Sequence, residues 1–89
     1  MQQFMRKFTQ LNGEKAKVLL KHCLFDRQAF YCEELQTIND EKRIGLVLKN
    51  REIFIYKADV RAAEMHDDMY TMSDGRMTIT IIVNKLWIL

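Results

Sequence analysis

Between Arg43 and Met65 the chain runs through two short apolar segments that break and restart within a few residues. The first closes on Lys49-Asn50, and the second on Tyr56-Lys57-Ala58-Asp59-Val60. Ile44, Leu46 and Leu48 share one parity, the alternation of a strand with one buried face, and Gly45 between them allows a kink or a close backbone approach. Ile53 and Ile55, interleaved with Phe54 and Tyr56, make a further strand after the tight connection Lys49-Asn50-Arg51-Glu52. Short antiparallel strands in succession close on themselves as a small barrel. Tyr56 with Lys57 puts a ring and a cation at one corner of it, the groups a single-stranded nucleic acid needs.

A chain of 89 residues makes one domain, in which a barrel buries only about two-thirds of its unfolded surface. The composition is 48% hydrophobic without a single proline, which excludes a disordered tail and suggests that some apolar surface meets another subunit. A formal net charge of +2 supplies no strong overall field, so any basic surface must come from local clustering. No secretory segment precedes Cys23 and Cys32; they could pair across a hairpin, but reduced thiols in the cytoplasm are the expectation. The longest apolar run, Ile79 to Val83, falls far short of the roughly 20 residues that span a bilayer, and no membrane partner is expected.

Residues 1–12 read as a helix. Phe4, Phe8 and Leu11 recur at helical spacing with Met1 and Met5 beside them, and Asn12-Gly13 supplies the stop. So short a helix needs to dock its phenylalanine face, and the reading is a lid over the barrel. Residues 16–65 hold the strands. Ala16 to Phe25 is apolar on both parities and reads as a buried strand, with a turn at Asp26-Arg27-Gln28. A break at Glu33-Glu34 bends the next strand, as barrel closure demands. Asn39 to Lys42 is a polar loop, and a fifth strand covers Arg61 to Met65. Residues 69–84 add a hairpin at the carboxyl end. It turns at Asp74-Gly75, where Met77, Ile79, Ile81 and Val83 begin to alternate with Thr78 and Thr80.

This order of elements, with Leu46-Val47-Leu48-Lys49-Asn50, Ile55-Tyr56-Lys57 and Val60, resembles the Sm-like superfamily, and within it the bacterial Hfq branch. The resemblance implies a mainly β fold: a five-stranded, SH3-type bent barrel with an amino-terminal helix, here extended by the carboxyl-terminal hairpin. It implies non-catalytic binding of single-stranded RNA by a homo-oligomeric ring, a hexamer or heptamer, closed by pairing of the fourth strand with a neighbour's fifth. Ile53, Phe54 and Ile55 then lie beside Arg61, Ala63 and Met65 of the next copy. The chain departs from the Hfq pattern at Ala58, where that family has histidine, and it lacks the Arg-Gly corner of eukaryotic Sm proteins. Lys42 stands where the family's loop aspartate falls unless the loop is longer, in which case Asp40 fills the place.

In such a barrel Tyr56 and Lys57 face Asn39, Asp40, Lys42 and Arg43, which together offer stacking, cations and hydrogen-bonding groups to RNA. The alternative is a barrel-edge tyrosine beside a solvated lysine. Arg6, Lys7 and Gln10 on the helix either extend a phosphate track or form a solvated face. His22, Cys23, Cys32 and His66 lack the paired spacing of a zinc site, and successive strand residues His22 and Cys23 point to opposite faces. Neither Glu33-Glu34 nor Asp67-Asp68 is a convergent acid-base pair, and glycine-rich phosphate loops are absent. No enzyme activity, metal or cofactor is expected. The second function class is a structural or adaptor protein that uses the added hairpin, with Met65, Met69, Met72 and Trp87-Ile88-Leu89, to bind another protein.

Overall fold

Phe4, Phe8 and Leu11 bring the amino-terminal helix α1 (Gln2–Thr9) down onto the strands, all three nearly free of solvent. This computed structural model describes residues 2–83; Met1, Asn84 and the Trp87-Ile88-Leu89 end of the adaptor reading lie outside the described residues. The Phe4 and Phe8 rings stack at 5.9 Å, and Phe4 meets Tyr70 edge-on at 6.1 Å. Gly13, at φ +89°, takes the left-handed conformation that ends the turn, and its N–H reaches Leu35 O at 2.6 Å.

Among the described residues eight strands follow: β1 (Ala16–His22), β2 (Phe25–Cys32), β3 (Gln36–Asn39), β4 (Arg43–Leu48), β5 (Arg51–Tyr56), β6 (Ala62–His66), β7 (Met69–Ser73) and β8 (Met77–Ile82). All pairings are antiparallel. They form a five-stranded sheet ordered β2-β1-β8-β7-β6 and a three-stranded sheet β3-β4-β5. Val18, Met72, Ile79 and Ile81 from the first face Ile44, Leu46, Leu48 and Ile55 from the second, with Leu35 and the helix completing the core. The fold is therefore mainly β with one amino-terminal helix, but its two sheets do not close into the expected five-stranded barrel.

Further expectations are corrected. The carboxyl-terminal hairpin is no appendage: β8 lies between β1 and β7, where Val18 faces Ile81 and Leu20 faces Ile79, so matching apolar parities pull it into the sheet centre. The first strand ends three residues early, at His22. Its turn is Cys23-Leu24, closed by the His22 ring, whose Nδ1 accepts the Leu24 N–H at 3.1 Å. Asp26-Arg27 is instead a bulge: the pairs Leu20–Gln28 and His22–Phe25 set one extra residue on β2 against β1. Leu24 and Phe25, expected inside, face solvent. The chain does bend at Glu33-Glu34, but the expected single bent strand is two: β2 ends there and β3 begins in the other sheet.

Candidate nucleic-acid interface

Asp40 organises the loop before β4. Its Oδ1 accepts the N–H groups of Lys42 (3.0 Å) and Arg43 (2.7 Å), and its Oδ2 accepts Arg43 Nε at 2.8 Å. The Arg43 side-chain hydrogen bond, then the two backbone amides, hold the Asp40 carboxyl below the usual carboxylate range. Arg43 Nη1 continues to Glu52 Oε1 at 3.2 Å, and the guanidinium lies 4.9 Å from the Phe54 ring centre. Phe54 in turn meets Tyr56 edge-on at 5.3 Å.

These groups meet because Glu52, Phe54 and Tyr56 share one parity on β5 and face outward with Arg43, which pairs with Tyr56 across the strands. Gly45 pairs with Phe54 in the same layer, and its missing side chain leaves the space in which β5 crosses. Tyr56, 52% exposed, ends the row. The chain then turns through Lys57–Asp59 as a single 3-10 turn, anchored by Lys57 N–H to Lys42 O at 2.7 Å and by Lys57 Nζ to Asp40 O. Beside it lies a 420 Å³ hollow lined by Arg61, Asp74 and Arg76 as well as the turn itself.

Of the residues picked out from sequence, Asp40, Lys42, Arg43, Tyr56 and Lys57 therefore come together. Asn39 does not join them: its Nδ2 donates to Thr9 Oγ1 (2.7 Å) and Met5 O (3.3 Å), fastening the helix to β3. Arg6 and Lys7 stay exposed on that helix, and Gln10, also exposed, lies in the turn that follows it. Sequence reasoning missed Glu52 and placed Phe54 only at a subunit contact. The signal was there in the i, i+2 spacing of Glu52, Phe54 and Tyr56.

Hydrogen bonds at the strand ends decide which backbone groups face off the sheets. The Lys57-to-Lys42 bond continues the β4–β5 register, so Ile53 and Ile55 bond to β4 while Glu52, Phe54 and Tyr56 turn their amides outward. Ile55 is only 2% exposed, so its side chain belongs to the core and not to an intersubunit surface. In the other sheet, Val83 N–H to Asp68 O and Asp74 N–H to Met77 O assign the even residues of β7 to β8. Ala62, Glu64 and His66 then bond to β7, leaving the outward groups of β6 at Ala63 and Met65. Arg61 sits just before that strand, its N–H on Ser73 O. The β3 edge is covered instead, with Thr37 N–H on Asn12 Oδ1 at 2.9 Å and Leu35 N–H on Glu14 O.

Among the described residues no three His, Cys, Asp or Glu side chains converge as a metal site would require. Cys23 and Cys32 are free thiols at opposite ends of the β1–β2 hairpin, and burial pushes the Cys32 thiol up. No helix among these residues is long and apolar enough to cross a membrane. No family model matches the sequence, and neither a curated protein nor a solved structure matches it.

Proposed function

We propose that this chain binds single-stranded RNA without catalysis, as an Sm-like homo-oligomeric ring in which each copy offers the Tyr56 corner. The observation that carries the reading is the outward row Arg43, Phe54, Tyr56: a half-exposed ring, braced edge-on by a second aromatic that carries a guanidinium, next to Lys42 and Lys57. Bases stack on such a ring whatever their identity, and the lysines meet the phosphates. Asp40 and Glu52 occupy the Arg43 guanidinium and Asp40 O holds Lys57 Nζ, so Arg43 acts by setting the platform, and exposed Lys42 is the principal phosphate contact.

The ring is supported by the two edges just derived, because β5 and β6 each end a sheet with backbone groups pointing away from it. Unpaired edges favour a partner strand, and a heterologous contact that closes satisfies every copy. The same edges suit a strand from a different protein, which is the adaptor reading. Fluorescence anisotropy with uridine-rich and adenine-rich oligonucleotides, beside native mass spectra, separates the two. The RNA reading requires saturable, salt-sensitive binding that Tyr56→Ala weakens. No binding to either oligonucleotide at low salt by a well-folded oligomer rejects it in favour of the adaptor.

A further inference from the structure

The β1–β2 hairpin ends in two adjacent exposed apolar side chains, Leu24 at 77% and Phe25 at 69%, with the Cys23 thiol beside them. The tip is held in place. Cys23 N–H bonds to Arg76 O at 3.0 Å, Leu24 N–H to His22 Nδ1 at 3.1 Å, and His22 pairs with Phe25, their rings 5.4 Å apart. The amides of Cys23 and Leu24 thus find their acceptors inside the molecule. A loop so closed can leave water without stranding these two donors, part of what a lipid environment asks of a segment entering it.

Positive charge stands two residues back from the tip. Lys21 and Arg27 flank it on the two strands, and both are exposed. Asp26, between Phe25 and Arg27, opposes them, so the base of the tip keeps a small net positive charge. Behind Phe25, a hollow of 200 Å³ lined by Leu20, Ile53 and Met77 carries the apolar surface inward. A protruding apolar turn with cations at its base has the shape and charge order of an interfacial anchor, whose rings enter the acyl boundary while the cations remain among anionic headgroups.

We propose that the Cys23-Leu24-Phe25 tip docks this protein reversibly on anionic lipid bilayers. The site shares no residue with the Tyr56 corner and does not depend on RNA binding. Two side chains give weak affinity per copy, so the contact is peripheral and salt-sensitive.

The full chain, with Cys32→Ser and an environment-sensitive fluorophore on Cys23, tests this on vesicles of phosphatidylcholine alone and of phosphatidylcholine mixed with phosphatidylglycerol, in the absence of RNA. The emission should brighten and shift to the blue with the mixed vesicles and much less with the neutral ones. Flotation of the unlabelled protein should follow the same order. Phe25→Ser should weaken flotation by about tenfold or more, the change expected when one large apolar side chain no longer enters lipid. Lys21→Glu with Arg27→Glu should abolish the preference for phosphatidylglycerol. Both sites are exposed, and unchanged circular dichroism will show that the variants fold. Absence of flotation with anionic vesicles overturns the proposal. So does a mass that falls on Phe25→Ser in vesicle-free solution while flotation is unaffected, which assigns the tip to contact between copies.

Discussion

Asp40 grips Arg43 twice, taking its amide at 2.7 Å on one oxygen and its side-chain Nε at 2.8 Å on the other, so one carboxylate fixes both the start of β4 and the guanidinium over Phe54. The Asp40 carboxyl has its pKa lowered in the folded protein, first by the Arg43 side chain and then by the Arg43 and Lys42 amides. Because the folded value lies below the unfolded one, the stabilisation is fully present above the ordinary aspartate value near about 4 and disappears as pH falls through the folded value. Asp40→Asn should therefore melt at a lower temperature than the wild type at neutral pH, and the difference should close in strong acid. Thermal melts of both proteins across that range check it, and a gap independent of pH would contradict the assigned role.

Tyr56→Ala should cost about 1–3 kcal/mol of RNA binding for each base that stacks on the corner, while Tyr56→Phe keeps most of it. Lys42→Ala should leave base preference unchanged and make the salt dependence shallower by about 0.7 in the log–log slope, one phosphate contact on a single strand. Anisotropy titrations at several salt concentrations measure both quantities. Equal losses in all three variants would point to a disturbed fold.

Ala63 and Glu64 are neighbours on β6 with opposite backbone duties. The Ala63 N–H points off the sheet and the Glu64 N–H bonds to β7. Proline removes a donor, which an outer edge tolerates and a ladder does not. Ala63→Pro should yield a folded chain that no longer assembles, whereas Glu64→Pro should lower the melting temperature sharply. Native mass spectra and circular dichroism melts distinguish the outcomes. An Ala63→Pro protein that keeps its oligomeric mass would remove β6 from the assembly.

What local pattern could reveal, it did. The Phe4, Phe8, Leu11 stripe marks the docked helix, the Ile44, Leu46, Leu48 alternation marks β4, and Asp74-Gly75 marks the β7–β8 turn. The β1–β2 turn stayed hidden because Cys23-Leu24 carries no turn residue and its acceptor is an imidazole, while the bulged Asp26-Arg27 has the composition of a turn. Insertion of β8 between β1 and β7 joins residues some sixty positions apart, such as Val18 and Ile81, and no local periodicity encodes such a pairing. The corner was legible as Tyr56-Lys57 plus a polar loop. That Asn39 turns to the helix, away from the corner, depends on Thr9 and Met5 O lying within its reach, a relation between distant segments.

Gly45 decides whether the aromatic row exists at all. A methyl group there would overlap the Ile53 carbonyl oxygen and come within 2.5 Å of Phe54 Cα and 2.8 Å of its Cβ. Two of those three atoms are backbone, so no rotamer change relieves the clash; β4 and β5 must separate, opening the ladder that holds Ile44 against Ile55. Gly45→Ala should therefore destabilise the protein by more than about 3 kcal/mol, beyond the usual range for a single substitution. Should chemical denaturation show a surviving fold, the displaced Phe54 would still leave Tyr56 without its brace, and RNA affinity should fall even though no side chain of the corner has been removed. Wild-type stability in the Gly45→Ala protein would mean that the strands are not drawn together at this point and that Gly45 does not set the Phe54 brace beneath Tyr56.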